Sequence, residues 1–280
     1  MISAYLHSVS EVLAELHERG FYADCSGLVT DHRRLTGPRD VFLAVPGEKF
    51  DPRNLADDLL LEQRCGLGLV DYDDQRAYQS ASVLPVLHLK TMLADLAFGY
   101  YETPSDAMTI IAATGTNGKT TVTRWLAQAL GRLGKKAAVI GTLGYGEPDH
   151  LKAHTGLTTP DVVGVHHLLH ELRREGFDTV CIEASSIGLE QRRLACVSID
   201  VALFTNLSQD HLDYHGDMAA YGRSKMILAS WPTLRLAVVN SDDSFGREFL
   251  AHVQGRNIEC TAVGHADSAE CQILHVSHQE

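Results

Sequence analysis

No Cys-x-x-Cys pair occurs in this sequence, although it holds six cysteines: Cys25, Cys65, Cys181, Cys196, Cys260 and Cys271. Scattered singly, they argue against structural zinc and a disulfide framework, and read as reduced thiols. No apolar run approaches the roughly 18 residues of a membrane span. The N-terminus does not read as a signal peptide: Val12, Leu13 and Leu16 alternate with Glu11, Glu15 and Glu18, as on a surface helix. Internal repeats and low-complexity stretches are missing too. Basic residues are in deficit, 24 Lys and Arg against 36 Asp and Glu, and the net charge of −12 argues against a nucleic-acid partner. A local loop can still hold phosphate on an acidic protein. The expectation is a cytoplasmic monomer, with neither nucleic acid nor membrane among its partners.

What is present is 280 residues with 45% hydrophobic and 21% charged content, enough for one large or two ordinary globular domains. The most informative stretch is Met108 to Leu133. A short apolar run, 109–113, is followed by a small-residue loop, then Lys119-Thr120-Thr121. From there Val122, Trp125, Leu126, Ala129, Leu130 and Leu133 recur at helical spacing. Strand, glycine loop, Lys-Thr and helix form the context of a phosphate loop. Gly115, Thr116, Asn117, Gly118, Lys119, Thr120 and Thr121 are its candidate nucleotide contacts. Backbone N–H groups and the helix N-terminus would cradle phosphates, Lys119 would reach the β/γ-phosphates, and Thr120 would hold Mg²⁺. Ala113 stands where the longer form of the pattern has glycine.

The chain reads as two units, 1–104 and 105–280, with the boundary at Thr103-Pro104-Ser105. In the first, 41–45, 68–70 and 83–89 read as strands, and 55–65 and 91–101 as helices: a small α/β module. In the second, strand candidates are 109–113, 137–140, 179–182, 201–205, 236–239 and 258–263. Helix candidates between them are 119–133, 161–175, 219–230 and 244–253. Continuous apolar strands separated by amphipathic helices predict a mostly parallel sheet with helices on its faces. Ligands of such sheets lie outside the carboxyl ends of the strands.

Two polar stretches follow strands there. Glu183-Ala184-Ser185-Ser186 follows 179–182, and its carboxylate is placed to hold Mg²⁺, although alone it equally reads as a surface turn. After 201–205 come Asp210, His211, Asp213, His215 and Asp217, which taken alone suggest a metal ligand set or a loop that caps the next helix. His166, His167 and His170 read as solvated side chains of one helix, and His150 and His154 as loop residues without partner spacing. Asp161, after Thr158-Thr159-Pro160, reads as an ordinary helix start, and Lys225 alone as a solvated helical lysine.

Four stretches together resemble the Mur ligase family: Gly115 to Thr121, Thr158 to Asp161, Glu183 to Arg193, and Phe204 to Asp217 running on to Tyr221 and Lys225. The resemblance implies ATP and Mg²⁺ as cofactors. It implies a ligase that phosphorylates a carboxylate of UDP-N-acetylmuramoyl-L-alanyl-D-glutamate to an acyl phosphate, which the amino group of meso-diaminopimelate or L-lysine attacks, in peptidoglycan biosynthesis. It implies an N-terminal UDP-sugar-binding module before an ATP-binding P-loop domain, with a C-terminal domain and the end of the central domain absent, and hence inactivity of these residues alone. By the same resemblance Lys119, Glu183, His211 and Lys225 are catalytic. Thr120, Glu183, His211 and Lys225 are metal contacts, Lys225 as a carbamate. Thr158, Thr159, Ser185, Gln191, Arg193 and, in the first module, His32 hold the UDP-N-acetylmuramoyl-dipeptide. Two positions depart from the family: Asp31-His32-Arg33 where it often has Asp-Ser-Arg, and Asp51-Pro52 where it continues toward Asp-Gly. The alternatives are a folylpolyglutamate synthase-like ligase and a non-catalytic fragment that binds nucleotide or UDP-sugar.

Overall fold

The computed structural model describes residues 5–47, 50–153, 156–256, 258–265 and 269–272. His154 and the apolar pair Ile273-Leu274 lie outside them. The chain forms two compact units, one of residues up to Pro104 with Val162–His170, the other of Ser105–Asp161 with the residues from Glu171 onward.

In the first unit the order is α1 (Val9–Glu18), β1 (Gly27–Val29), β2 (Asp40–Ala44), α2 (Ala56–Leu61), β3 (Leu67–Asp71), β4 (Val83–Val86) and α3 (Leu89–Tyr100). The four strands pair in sequence order, all parallel. Side chains alternate across a strand, so Val41 and Leu43 enter one core with Val12, Leu16, Leu96 and Val163. Phe42 and Ala44 enter another with Ala56, Leu59 and Val70. The stretch 55–65 is not one helix: Pro52–Leu55 is a 3-10 turn and α2 follows it. The apolar run 83–89 is likewise split. β4 ends at Val86, and His88 turns the chain in a left-handed conformation (φ 58°) into α3.

The second unit runs β5 (Thr109–Thr114), α4 (Lys119–Arg132), β6 (Ala137–Gly141), β7 (Gly144–Glu147), β8 (His150–Lys152), α5 (Val162–Arg174), β9 (Thr179–Glu183), α6 (Ser186–Glu190), β10 (Val201–Phe204), α7 (Leu212–His215), α8 (Met218–Ala229), β11 (Leu236–Asn240), α9 (Ser244–Gln254), β12 (Glu259–Gly264) and β13 (Cys271–Gln272). The strand order is β13-β12-β11-β10-β5-β9-β6-β7-β8. It is parallel except for β7 and β8, which add as antiparallel strands after β6. Ile111, Ala113, Val139, Cys181 and Leu203 meet Ala127 of α4 in one core. The sheet is thus mixed α/β and mostly parallel.

The first nine residues of α5 belong to the first unit, and this reverses the reading of two histidines. His166 is buried, with its ring edge-on to Phe98, and His170 is buried with Nδ1 3.1 Å from Tyr101 O and Nε2 3.4 Å from Asp24 Oδ1. Polar helix positions that would face water on an isolated helix are covered here by α3. No helix among the described residues is long and apolar enough to cross a membrane.

Candidate active site

β5 lies between β9 and β10, in register Ala113↔Glu183 and Thr114↔Phe204. Three neighbouring parallel strands therefore end together, and the loop Gly115–Gly118, Glu183 and the segment 205–208 follow from their ends. Hydrogen bonds join loop and segment. Thr116 N donates to Asn206 O (2.8 Å) and Asn117 N to Asn206 Oδ1 (3.0 Å). Thr205 Oγ1 donates to Asn117 O (2.7 Å), and Ser208 N to Thr116 Oγ1 (2.9 Å). Gly115 must be glycine: its φ is 146°, and an added Cβ would stand 1.9 Å from Thr205 Oγ1.

The loop turns into α4 at Gly118 (φ 86°), and no side chain caps that helix, whereas α8 and α9 are capped by Asp217 and Asp243. An uncapped N-terminus leaves first-turn N–H groups for an anion. Lys119 Nζ folds back and donates to Gly115 O (2.8 Å) and Thr116 O (2.9 Å). Burial lowers its pKa, against the pull of Glu183 and Asp210. Thr121, two residues on, is exposed.

Glu183 is 1% exposed. Its Oε2 accepts from Thr120 Oγ1 (2.9 Å) and Thr142 Oγ1 (3.2 Å), and its Oε1 from Thr142 N (2.9 Å). A buried carboxylate fully engaged by hydroxyl and amide donors is held in one orientation. The donors presented here, a hydroxyl and a carboxylate, are all oxygen and suit a hard divalent cation.

Lys225 is not a solvated helical lysine. It is 1% exposed, with Nζ donating to Gly115 O (2.8 Å) and standing 4.3 Å over the Tyr221 ring. Its pKa is pushed down to about 7, chiefly by burial and then by the charge of Lys119. Tyr221, buried below it, brings its hydroxyl within 3.2 Å of Thr116 Oγ1.

The stretch Asp210–Asp217 does not gather into a metal ligand set of its own. Among the described residues no group of three His, Cys, Asp or Glu side chains does so. His211 sits in a left-handed conformation before α7, with its side chain 48% exposed and Nε2 3.6 Å from Asp210 Oδ2. The short turn of α7 sends His215 inward instead, and Asp217 is used as the cap of α8. His211 makes no hydrogen bond to Glu183 or Lys225.

The second-unit candidates for the sugar-peptide form a connected row. Thr158 Oγ1 lies 3.1 Å from Thr142 Oγ1. Thr159 Oγ1 donates to Glu183 O (2.8 Å) and accepts from Ser185 N (3.0 Å), and Ser185 caps α6. Arg193 Nη1 donates to Thr159 O (2.7 Å), while its Nε and Nη2 donate to Gln191 Oε1. His32 lies in the first unit, on a 3-10 turn, with its ring 5.7 Å from that of Phe50.

Sequence reasoning missed Gly141, the last residue of β6, and Thr142, the first of the turn after it, which belong to no recognisable motif. A Cβ on Gly141 would meet Glu183 Oε1 at 2.0 Å. Gly141→Ala is therefore expected to displace the carboxylate and weaken Mg²⁺-dependent nucleotide binding by about 10–100-fold, the usual cost of disturbing a supporting contact. Calorimetric titration with nucleotide, with and without Mg²⁺, measures it, and unchanged Mg²⁺ dependence would refute the role given to Glu183.

The loop, the uncapped helix and the buried acid are the parts of a P-loop domain on a parallel sheet. Residues 113–280 match the Mur ligase middle domain, and the chain belongs to the Mur ligase family. The UDP-N-acetylmuramoyl-L-alanyl-D-glutamate–2,6-diaminopimelate ligase of Ectopseudomonas mendocina (strain ymp) is 45% identical over 257 residues, 90% of this chain and 51% of that one. A solved structure of a ligase with that same name superposes with a TM-score of 0.68 at 27% identity, over 87% of this chain and 49% of the other. The MurF ligase of Thermotoga maritima in complex with ADP superposes with a TM-score of 0.63, over 89% and 52%, and at 18% identity shares the fold. The chain spans about half the length of the curated relatives it matches.

Proposed function

We propose that this chain supplies the nucleotide and sugar-peptide sites of an ATP-dependent ligase. That ligase joins 2,6-diaminopimelate, or L-lysine, to UDP-N-acetylmuramoyl-L-alanyl-D-glutamate in peptidoglycan synthesis. The observation that carries the reading is the bond between Thr120 Oγ1 and Glu183 Oε2. It brings a phosphate-loop hydroxyl and a buried carboxylate from the neighbouring strand to one point. In this reading residues 1–104 bind the UDP-sugar, with His32 among the contacts, and 105–280 bind ATP. The 45% identity to a relative of that name favours it over a folylpolyglutamate synthase-like ligase and over a binding fragment without turnover.

The chemical task is to bring a substrate carboxylate against a phosphate chain, two anions that repel. Lys119 presents an ammonium at the loop, and the first turn of α4 presents unpaired N–H groups. Thr158, Thr159, Ser185, Gln191 and Arg193 orient the sugar-peptide beside them. Thr120 and Glu183, with His211 and a carbamylated Lys225, would hold Mg²⁺, which would supply neutralising charge at the phosphates.

The test is a phosphate-release assay on a ligase of the relatives' length carrying this sequence. ATP and the UDP-sugar dipeptide are supplied with 2,6-diaminopimelate, L-lysine or no amino acid. Release that needs both the dipeptide and one amino acid is expected. Release with a folate substrate, or none with the dipeptide, rejects the reading.

A further inference from the structure

Two short helices, α6 and α7, flank the residues assigned to the sugar-peptide, and two adjacent links tie them together. The side chain of His215 is 1% exposed; its Nε2 lies 3.0 Å from the buried Ser186 Oγ and its Nδ1 3.0 Å from Glu190 Oε2. The ring also packs against those of Tyr214 and Tyr221, at 4.9 and 5.2 Å. One residue earlier, Tyr214 Oη accepts from Gln191 Nε2 at 3.1 Å. Gln191 Oε1 in turn accepts from Arg193, and Arg193 donates to Thr159 O. An imidazole engaged through both nitrogens is fixed in rotation as well as in place.

We propose that Tyr214 and His215 are positioning residues for the sugar-peptide. His215 pins α7 to α6, and Tyr214 thereby holds Gln191, and through it Arg193, in the orientation that meets the substrate. The inference rests on the ligase reading above. Its physical basis is that glutamine and arginine are long side chains, and Gln191 is exposed. Unrestrained, both would surrender rotamer freedom on binding, and anchoring them beforehand removes that cost. Among the described residues, α7 is hydrogen-bonded to the Gln191 side chain through the Tyr214 hydroxyl, so that one atom carries the effect.

The experiment uses the ligase of the relatives' length with Tyr214→Phe, which removes only the hydroxyl. It also uses His215→Phe, which keeps a ring in the stack and removes the hydrogen bond to Ser186 and the contact with Glu190. The KM for the UDP-sugar dipeptide is expected to rise by about tenfold in each, the size of one lost hydrogen bond, with the KM for ATP and the Tm of Tyr214→Phe unchanged. Tyr214→Phe should add nothing further in a Gln191→Ala background. Hydrogen exchange across residues 212–216 should quicken in His215→Phe. Should His215→Phe fail to fold, Tyr214→Phe alone decides. A dipeptide KM unchanged in Tyr214→Phe, or a parallel rise of both KM values, overturns the proposal. Failure of the ligase reading looks different: the unsubstituted enzyme then shows no dipeptide-dependent turnover, and both ideas fall.

Discussion

Lys225→Ala, in a ligase of the relatives' length, is expected to lose turnover on the order of 10³-fold, and acetate or formate is expected to restore part of it. Lys225 is buried, shares the Gly115 carbonyl with Lys119, and has its pKa pushed down to about 7, first by burial and then by Lys119. A large share of the side chain is therefore neutral near pH 7. A neutral amine can add carbon dioxide and release a proton, which turns a cation into a carbamate with oxygen donors. Those donors suit a hard cation, whereas the ammonium would repel it. A small carboxylate can occupy the space that alanine vacates and supply similar oxygens. Lys225→Arg should not be rescued, since its guanidinium stays charged and fills the site. The measurement is turnover of each variant with and without added acid, with the intact mass of the parent read for bound carbon dioxide. If Lys225→Ala keeps most of its activity, the residue only packs the site. A dead variant that acids leave dead would keep the lysine essential and remove the carbamate role.

Lys119→Ala should cost turnover about 10²–10³-fold, the scale on which a preorganised charge at a transferring group acts. In this structure the ammonium is held by two loop carbonyls, at Gly115 and Thr116. Its loss removes an ammonium from the loop while leaving the backbone donors of α4 in place. Nucleotide should still bind, more weakly, and the melting temperature should stay near the parent's because no core contact is lost. Comparing kcat, KM for ATP and Tm separates these effects. Near-normal turnover in this variant would end the phosphate-loop assignment.

The centre of the second sheet was legible because β5, β6, β9 and β10 are largely buried on both faces and read as unbroken apolar runs. The strands at 109, 137, 179 and 201 begin where those runs begin. The antiparallel pair β7 and β8 was not legible, since Gly144-Tyr145-Gly146-Glu147 has neither an apolar run nor clear alternation. α6 and α7 were hidden inside motif stretches too short to show a helical period. Periodicity also says nothing about which core a helix serves, and so His166 and His170 read as solvated although α3 covers them. Lys225 shows the same limit: one polar residue on a helix has no pattern, and only the resemblance singled it out. Thr142 and Gly141 escaped because their role is to hold Glu183 rather than to take part in a motif.

The place of β5 bears on how the molecule is made. In the first sheet each strand pairs with the next one in sequence, so pairing can proceed as a ribosome delivers the chain. β5 has no such neighbour. Its partners are β9 and β10, joined at Thr109↔Thr179 and Ile111↔Val201. Ile110 and Ile111 must therefore wait, unpaired and apolar, until long after they emerge. The glycine loop 115–118 cannot take its shape before Thr205 and Asn206 have been synthesised to stitch it. Nascent chains ending short of those residues would carry an apolar strand without its partners and a loop without its stitches, so the centre of this sheet is completed late in synthesis.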